Sequence, residues 1–91
     1  MTQQAINMTH ENLKLKDFYS TCDLALATAV SLFYPIEAID KTDPHKATFL
    51  FRQDRDLDQL IESYWRGELK VSPIAYFNQL KVIKARLYER K

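Results

Sequence analysis

The feature that most restricts the fold of this sequence is the segment from Leu24 to Tyr34, which is apolar on nearly every side. A helix with apolar residues all round belongs in the interior of a domain, and the alanines of this one permit close packing on a sheet. Pro35 ends the helix because its ring cannot continue helical geometry. We therefore predict a central buried helix over these residues. Most of its apolar surface should come from Leu24, Leu26, Val30 and Phe33.

The residues before this helix predict a strand and a helix start. Leu13 to Lys16 alternates apolar and polar residues and is followed by two aromatic residues, which indicates a short strand or an extended segment. Ser20 is of a type that caps helices, and Asp23 follows three positions later, where a carboxylate meets unpaired N–H groups. We expect Ser20 to cap the helix and Cys22 to lie in its first turn as a buried structural cysteine.

A β-hairpin is predicted after the central helix. Two runs typical of strands, Ile36–Ile39 and Ala47–Phe51, flank a segment rich in turn-forming residues. Within that segment, Asp43 and Pro44 suit the start of a type I turn. The two strands should therefore pair through a long loop.

Two more helices follow the hairpin. Asp54 opens the first, and Gly67 stands where a glycine just beyond a helix end belongs. Ser72 and Pro73 are a capping serine and a proline at the first helical position, so the last helix should begin there. The apolar stripes of the two helices are Leu57, Leu60, Ile61 and Tyr64, and then Tyr76, Phe77, Leu80, Ile83 and Leu87.

These elements predict an α+β fold in the order β-α-β-β-α-α, with a small sheet of about three strands packed on one face by three helices. The apolar fraction of 46% and the charged fraction of 27% are ordinary for a globular chain. Gly67 is the only glycine, which disfavours disorder and a fold with many turns. We expect residues 13–91 to form a single domain after a flexible tail over residues 1–12.

The cysteine count and the hydropathy pattern indicate a cytoplasmic protein. Cys22 is the only cysteine, so no disulfide can form within the chain, and a reducing compartment fits. No apolar run reaches the roughly 18–20 residues that span a membrane, and Met1–Glu11 lacks the apolar segment of a signal peptide. We expect neither membrane insertion nor secretion.

No catalytic, cofactor or metal site is recognisable in the sequence. His10 and His45 are the only histidines, and together with Cys22 they match no zinc-site spacing. The alternating carboxylates of residues 54–58 resemble part of a calcium loop, but its glycine and distal glutamate are missing, so helix-start carboxylates are the better interpretation. We expect no cofactor and no enzymatic activity.

Charge is unevenly distributed along the chain. Residues 1–64 carry six Lys and Arg against ten Asp and Glu, a net charge of −4, whereas residues 65–91 carry seven against two, a net charge of +5. The basic part is a candidate for nucleic-acid contact, although a solvated face is the simpler interpretation because its charges do not share one side of a helix. Its candidate contact residues are Lys70, Lys81, Lys84, Arg86, Arg90 and Lys91.

Aromatic residues near the chain's end supply candidates for a protein interface. Trp65 lies at the edge of its helix's apolar stripe and is followed by Arg66, and both residue types are enriched at binding hot spots. Tyr76 and Tyr88 add rings to the last helix, and one small core has limited room for so many. The indole of Trp65 has core packing as its alternative role.

Several motifs between Phe18 and Tyr88 resemble those of a small prokaryotic and phage-associated family classed as a domain of unknown function. They cover about three quarters of the chain. The resemblance implies an α+β fold and transfers no activity. The chain departs from that family after the first helix, where Tyr34 and Pro35 replace a favoured glycine. The matching motifs are Tyr19–Leu24, Phe49–Phe51, Tyr64–Gly67, Val71–Pro73 and Leu80–Tyr88.

Together these features favour a non-enzymatic accessory or adaptor domain that binds another protein or itself, with a homodimer slightly favoured. The alternative is a nucleic-acid-binding accessory protein that uses the basic last helix.

Overall fold

The computed structural model describes residues 17–89, and their elements follow the predicted order β-α-β-β-α-α. The part of the first-strand prediction that covers residues 13–16 and the predicted tail lie outside the described residues, as do His10, Arg90 and Lys91. The elements are β1 Phe18–Thr21, α1 Leu24–Ser31, β2 Ala38–Asp40, β3 Thr48–Arg52, α2 Arg55–Trp65 and α3 Pro73–Leu87.

The three strands form an antiparallel sheet in the order β1-β3-β2, so the predicted hairpin is confirmed and β3 is central. Side chains alternate along a strand. Phe49 and Phe51 are therefore buried on the face that joins the helical core, whereas Leu50 and Arg52 lie on the opposite face. The α+β class predicted from the sequence is correct.

Helix α1 is the centre of the fold, as expected, because the five residues Leu26–Val30 are all buried and the helix contacts both α2 and α3. It is shorter than predicted, since it ends at Ser31 and not at Tyr34. The amide of Phe33 bonds to the carbonyl of Val30, three residues back, which tightens the chain into a turn ahead of Pro35. Phe33 is consequently exposed, and the prediction that it adds to the buried surface is wrong.

The start of α1 also differs from the prediction. Ser20 lies within β1, paired with Leu50, and Asp23 is the cap: its Oδ1 accepts a hydrogen bond of 3.2 Å from the amide of Leu26. Cys22 lies before the helix and is exposed, with its Sγ 3.3 Å from Oγ1 of Thr48. Both expectations for this cysteine, burial and a place in the first turn, are wrong because β1 extends through Ser20 and Thr21, which pair with Leu50 and Phe49.

The boundaries of α2 and α3 agree with the sequence signals. Asp54 caps α2 by accepting from the amide of Leu57 at 2.8 Å, and Gly67 ends it with a φ of 73°. The amide of Gly67 bonds to the carbonyl of Tyr64 and that of Glu68 to the carbonyl of Ser63, which is the paired arrangement of a Schellman motif. Ser72 caps α3 ahead of Pro73, as predicted.

The side of α3 that faces the core contains fewer residues than the predicted apolar stripe. Ile83 is fully buried, and Tyr76, Leu80 and Leu87 are half-buried. Phe77, which was expected in the same stripe, is exposed. Helical geometry explains the error, because six residues separate Phe77 from Ile83 and place the two side chains about 120° apart around the helix axis.

Candidate functional site: the outer face of helix α3

Helix α3 carries apolar side chains on two opposite sides. Ile83 is fully buried on the side that meets the core. On the other side, Ile74 is 74%, Phe77 57% and Tyr88 76% exposed. Large apolar side chains that are exposed together on one element indicate a binding surface more often than isolated ones do.

The exposed residues are arranged at helical intervals. Ile74, Phe77, Lys81, Lys84 and Tyr88 recur at alternating spacings of three and four residues and therefore lie along one line of the helix. Val82, which is 52% exposed, lies at one edge of that line. We call this surface the outer face of α3. Its residues are Ile74, Phe77, Asn78, Lys81, Val82, Lys84, Ala85 and Tyr88.

Two hydrogen bonds to α1 fix the rotation of α3 about its axis. The hydroxyl of Tyr76 donates to the carbonyl oxygen of Ala25 at 3.2 Å, and the side-chain amide of Gln79 donates to the hydroxyl of Ser31 at 3.0 Å. Tyr76 and Gln79 both lie on the inner side of α3. Rotation of the helix about its axis would break these two hydrogen bonds, so they keep the outer face directed away from the core.

The two ends of α3 are also held in place. At the first turn, Oγ of Ser72 accepts from the amide of Ala75 at 3.2 Å. At the last turn, Nζ of Lys41 in the hairpin loop donates to the carbonyl oxygens of Arg86 at 3.1 Å and of Leu87 and Glu89 at 3.5 Å. A cation at the C-terminal end of a helix also interacts favourably with its dipole.

The charge of the outer face is positive. Nζ of Lys81, at the middle of the face, lies 5.1 Å from the centre of the Phe77 ring, which is a cation–π contact. Lys84 lies one turn nearer the C-terminus and is exposed. From Pro73 to Tyr88 the sequence contains no Asp or Glu. A partner that covers this face must therefore accommodate positive charge.

The residues predicted as an interface do not form one surface. Tyr88 lies on the outer face of α3, but Tyr76 is half-buried on the inner side. Trp65 is 62% exposed at the end of α2, where its ring packs edge-on against Tyr64 at a centroid distance of 5.0 Å. Arg66 is exposed and forms a 2.8 Å ion pair with Glu62 on its own helix.

The residues predicted for nucleic-acid contact are exposed where they are described. Lys81 and Lys84 are on the outer face of α3, and Arg86 lies about 140° from Lys81 around the axis. Lys70 lies in the link before α3, and the last two candidates are outside the described residues. The described basic side chains therefore point in different directions, as their spacing indicates.

Four residues of the outer face have no role in the sequence-based predictions: Ile74, Asn78, Val82 and Ala85. The sequence pattern predicts one apolar stripe in α3 that includes Phe77, and this assignment hides the second stripe. The sequence signal for it is that Ile74, Phe77, Lys81, Lys84 and Tyr88 follow the same alternation of three and four residues as a buried stripe.

Other polar groups of the described residues take part in caps and packing contacts. Oδ1 of Asp54 caps α2 and also accepts from the hydroxyl of Tyr34 at 3.4 Å. Burial, with the charge of Asp23 and the neighbouring Tyr76, raises the pKa of the Tyr64 hydroxyl, so this phenol is neutral at physiological pH. Between residues 17 and 89 no group of three or more His, Cys, Asp or Glu side chains is close enough to hold a metal ion.

A shallow depression of about 320 Å³ lies between the hairpin loop and the end of α3. Lys41, His45 and Lys46 line it from the loop, and Leu87 lines it from the helix. The ammonium group of Lys41 donates to carbonyl oxygens at the end of α3, so the depression lies where the loop contacts this helix.

Among the described helices, none combines the length and the apolar character needed to cross a membrane.

These elements define a small α+β domain in which helices cover one face of a three-stranded antiparallel sheet. The chain belongs to the family described as Domain of unknown function (DUF5659), which matches residues 16–89. The expected membership of a family of unknown function is therefore confirmed. Comparison with curated proteins and with solved structures finds no match.

Proposed function

We propose that this domain is a non-enzymatic accessory or adaptor module that binds a protein through the outer face of α3. The observation that carries the proposal is the joint exposure of Ile74, Phe77 and Tyr88 along one line of a helix that is capped at its start and held at its end. Exposed apolar surface of this kind is buried when a partner binds, which supplies the driving force for association. The partner in this proposal is another protein or a second copy of the chain.

The proposed setting is the cytoplasm of prokaryotic cells, including those that carry phage. A single exposed cysteine is compatible with the reducing conditions of that compartment. The prokaryotic and phage-associated setting follows the resemblance of the motifs between Phe18 and Tyr88.

A photo-reactive amino acid placed at Phe77 tests the proposal. In cells of the source organism it should form covalent adducts with one or a few proteins, because this side chain is at the centre of the outer face. The same group placed at Gln59, an exposed position of α2, is the matched control and should give none of those adducts. Equal adduct patterns at both positions, or none at either, would contradict a docking role for α3.

Nucleic-acid binding is the second candidate, because the ammonium group of exposed Lys81 lies 5.1 Å from the centre of the exposed Phe77 ring and exposed Lys84 follows one turn later. Proteins that bind single strands combine basic groups with aromatic rings on which bases stack. Titration of labelled single- and double-stranded DNA and RNA at low salt tests it. Binding should then weaken steeply with added salt, by roughly one unit of slope for each phosphate contact. Absence of binding at tens of micromolar protein removes this candidate.

A further inference from the structure

We infer that the partner covers the outer face of α3 with an acidic amphipathic α-helix of another protein. The inference rests on the proposed function and adds the shape and the charge of the occupant.

The shape of the face indicates a helix. Residues 74, 77, 81, 84 and 88 follow the alternating spacing of three and four residues that two helices share when they pack lengthwise. The face runs the whole length of α3, about 22 Å at 1.5 Å per residue, and is one helix wide. A partner helix of about two heptads covers it from end to end.

The charge of the face indicates that this helix is acidic. Lys81 is at the midpoint between Ile74 and Tyr88, and Lys84 follows within the same line. A partner helix packed on Ile74 and Tyr88 covers Lys81 as well. Burial of an ammonium group without an opposite charge is unfavourable, and α3 has no carboxylate to supply one. The partner must therefore bring Glu or Asp beside its apolar stripe.

A second copy of the chain fits this surface poorly. If two outer faces pair symmetrically along their full length, the central Lys81 of each lies against the other, and like charges placed opposite each other are repulsive. The acidic helix α2 is no better match, because its apolar stripe is already packed in its own core, with Leu57 fully buried. Its exposed carboxylates Asp56 and Asp58 lie about 160° apart around the helix axis, so they do not form one acidic side.

Synthetic peptides test the inference directly. The probe is a helical peptide with Leu at the core positions and Glu at the flanking ones. It has about three heptads, one more than the face needs, because shorter isolated helices are marginally stable in water. One control carries Lys in place of every Glu, and a second has the composition of the probe in scrambled order. Binding is measured by fluorescence anisotropy at physiological salt, and the surface by NMR shift changes. The acidic probe should bind about tenfold or more tightly than either control, with shifts concentrated on the outer face of α3.

A charge exchange on the domain completes the test. Lys81→Glu should reverse the preference in favour of the Lys peptide. Arg55→Glu makes the same change in net charge at an exposed position of α2 and should leave the preference unchanged, because charges separated by more than about 8 Å are largely screened at physiological salt.

Three results would overturn the inference: no preference for the acidic probe, equal binding of its scrambled form, or a stable homodimer that Lys81→Glu strengthens. Its failure is distinguishable from failure of the proposed function. If the peptides do not bind but the photo-reactive group at Phe77 still forms specific adducts in cells, α3 docks a partner of different chemistry. If both experiments fail, α3 is not a docking surface.

Discussion

Lys41 and Arg86 join the hairpin to the end of the last helix: Nζ of the lysine donates to the backbone carbonyl oxygen of the arginine at 3.1 Å. The last carbonyls of a helix lack their usual intrahelical partners. The Arg86 carbonyl also accepts from the amide of Glu89 at 3.3 Å, and the lysine adds a charged donor to it. The contact also ties the C-terminal end of the outer face to the sheet. A loop residue distant in sequence thereby helps to hold the docking surface proposed for α3.

Lys41→Met should lower the free energy of unfolding by about 0.5–1 kcal/mol, because it removes a hydrogen-bonded cation from a helix C-terminus while keeping most of the side chain's length. Chemical denaturation measures the change. Lys46→Met, in the same loop, is the matched control and should change stability less. Equal effects of the two substitutions would show that the contact with α3 contributes nothing specific.

Gly67→Ala should destabilise the domain by about 1 kcal/mol. The residue has a φ of 73°, which is unfavourable for a residue with a Cβ, although a methyl group there would meet no atom within 4 Å. The cost is therefore one of backbone conformation alone. Gly67→Asn should cost less, since asparagine tolerates this region better. A thermal or chemical melt that ranks alanine above asparagine would refute this explanation.

Ser72→Ala should lower the free energy of unfolding by about 1 kcal/mol, because it removes the hydroxyl oxygen that accepts from the amide of Ala75 and caps α3. Ser72→Asp should retain most of the stability, because its carboxylate accepts the same hydrogen bond. Denaturation midpoints of the two variants check the prediction, and an unchanged midpoint for alanine would mean that the cap is not energetically important.

Ile83→Ala and Val82→Ala test the two sides of α3 with neighbouring residues. Ile83 is fully buried, so its truncation should cost about 2–5 kcal/mol. Val82 is 52% exposed, and its truncation should change stability by less than about 0.5 kcal/mol. Similar losses for both variants would show that the helix is rotated relative to its described orientation.

The carboxyl group of Asp40 should titrate below the ordinary aspartate range. The hydroxyl of Thr42, and next its backbone amide, donate to this carboxylate and lower its pKa, while burial acts weakly in the other direction. A lowered pKa in the folded state gives stability that is present above the unfolded-state pKa and is lost as the pH falls through the folded-state pKa. Thr42→Val should raise the pKa towards the ordinary value. Carboxyl NMR titration measures it, and an unchanged value would exclude the hydroxyl as the cause.

The sequence predicts helix ends well where the backbone has a requirement that only one or two residue types satisfy. Gly67 and the pair Ser72-Pro73 were located correctly because a positive φ and an unpaired first turn leave few alternatives. Asp54 belongs to the same class. The β-hairpin followed from two apolar runs around a polar loop.

Other features depend on tertiary contacts that one segment cannot reveal. Ser20 and Asp23 are both good caps, and pairing of β1 with β3 decided between them by placing Ser20 in a strand. The exposure of Phe77 follows from which side of α3 meets α1, and the bonds from Tyr76 and Gln79 that fix this side join residues far apart in sequence. The role of Lys41 at the end of α3 has no local sequence signal.

The strand order has a consequence for the way the sheet assembles. β3 lies between β1 and β2, so the strand synthesised last of the three is the one to which both others bond. We expect β2 and β3 to pair first, because they are neighbours along the chain. β1 should pair with β3 afterwards, because the loop between these two strands is longer and closing it costs more entropy. A nascent polypeptide that stops before Thr48 carries β1 and β2 but can make none of the strand pairs described here.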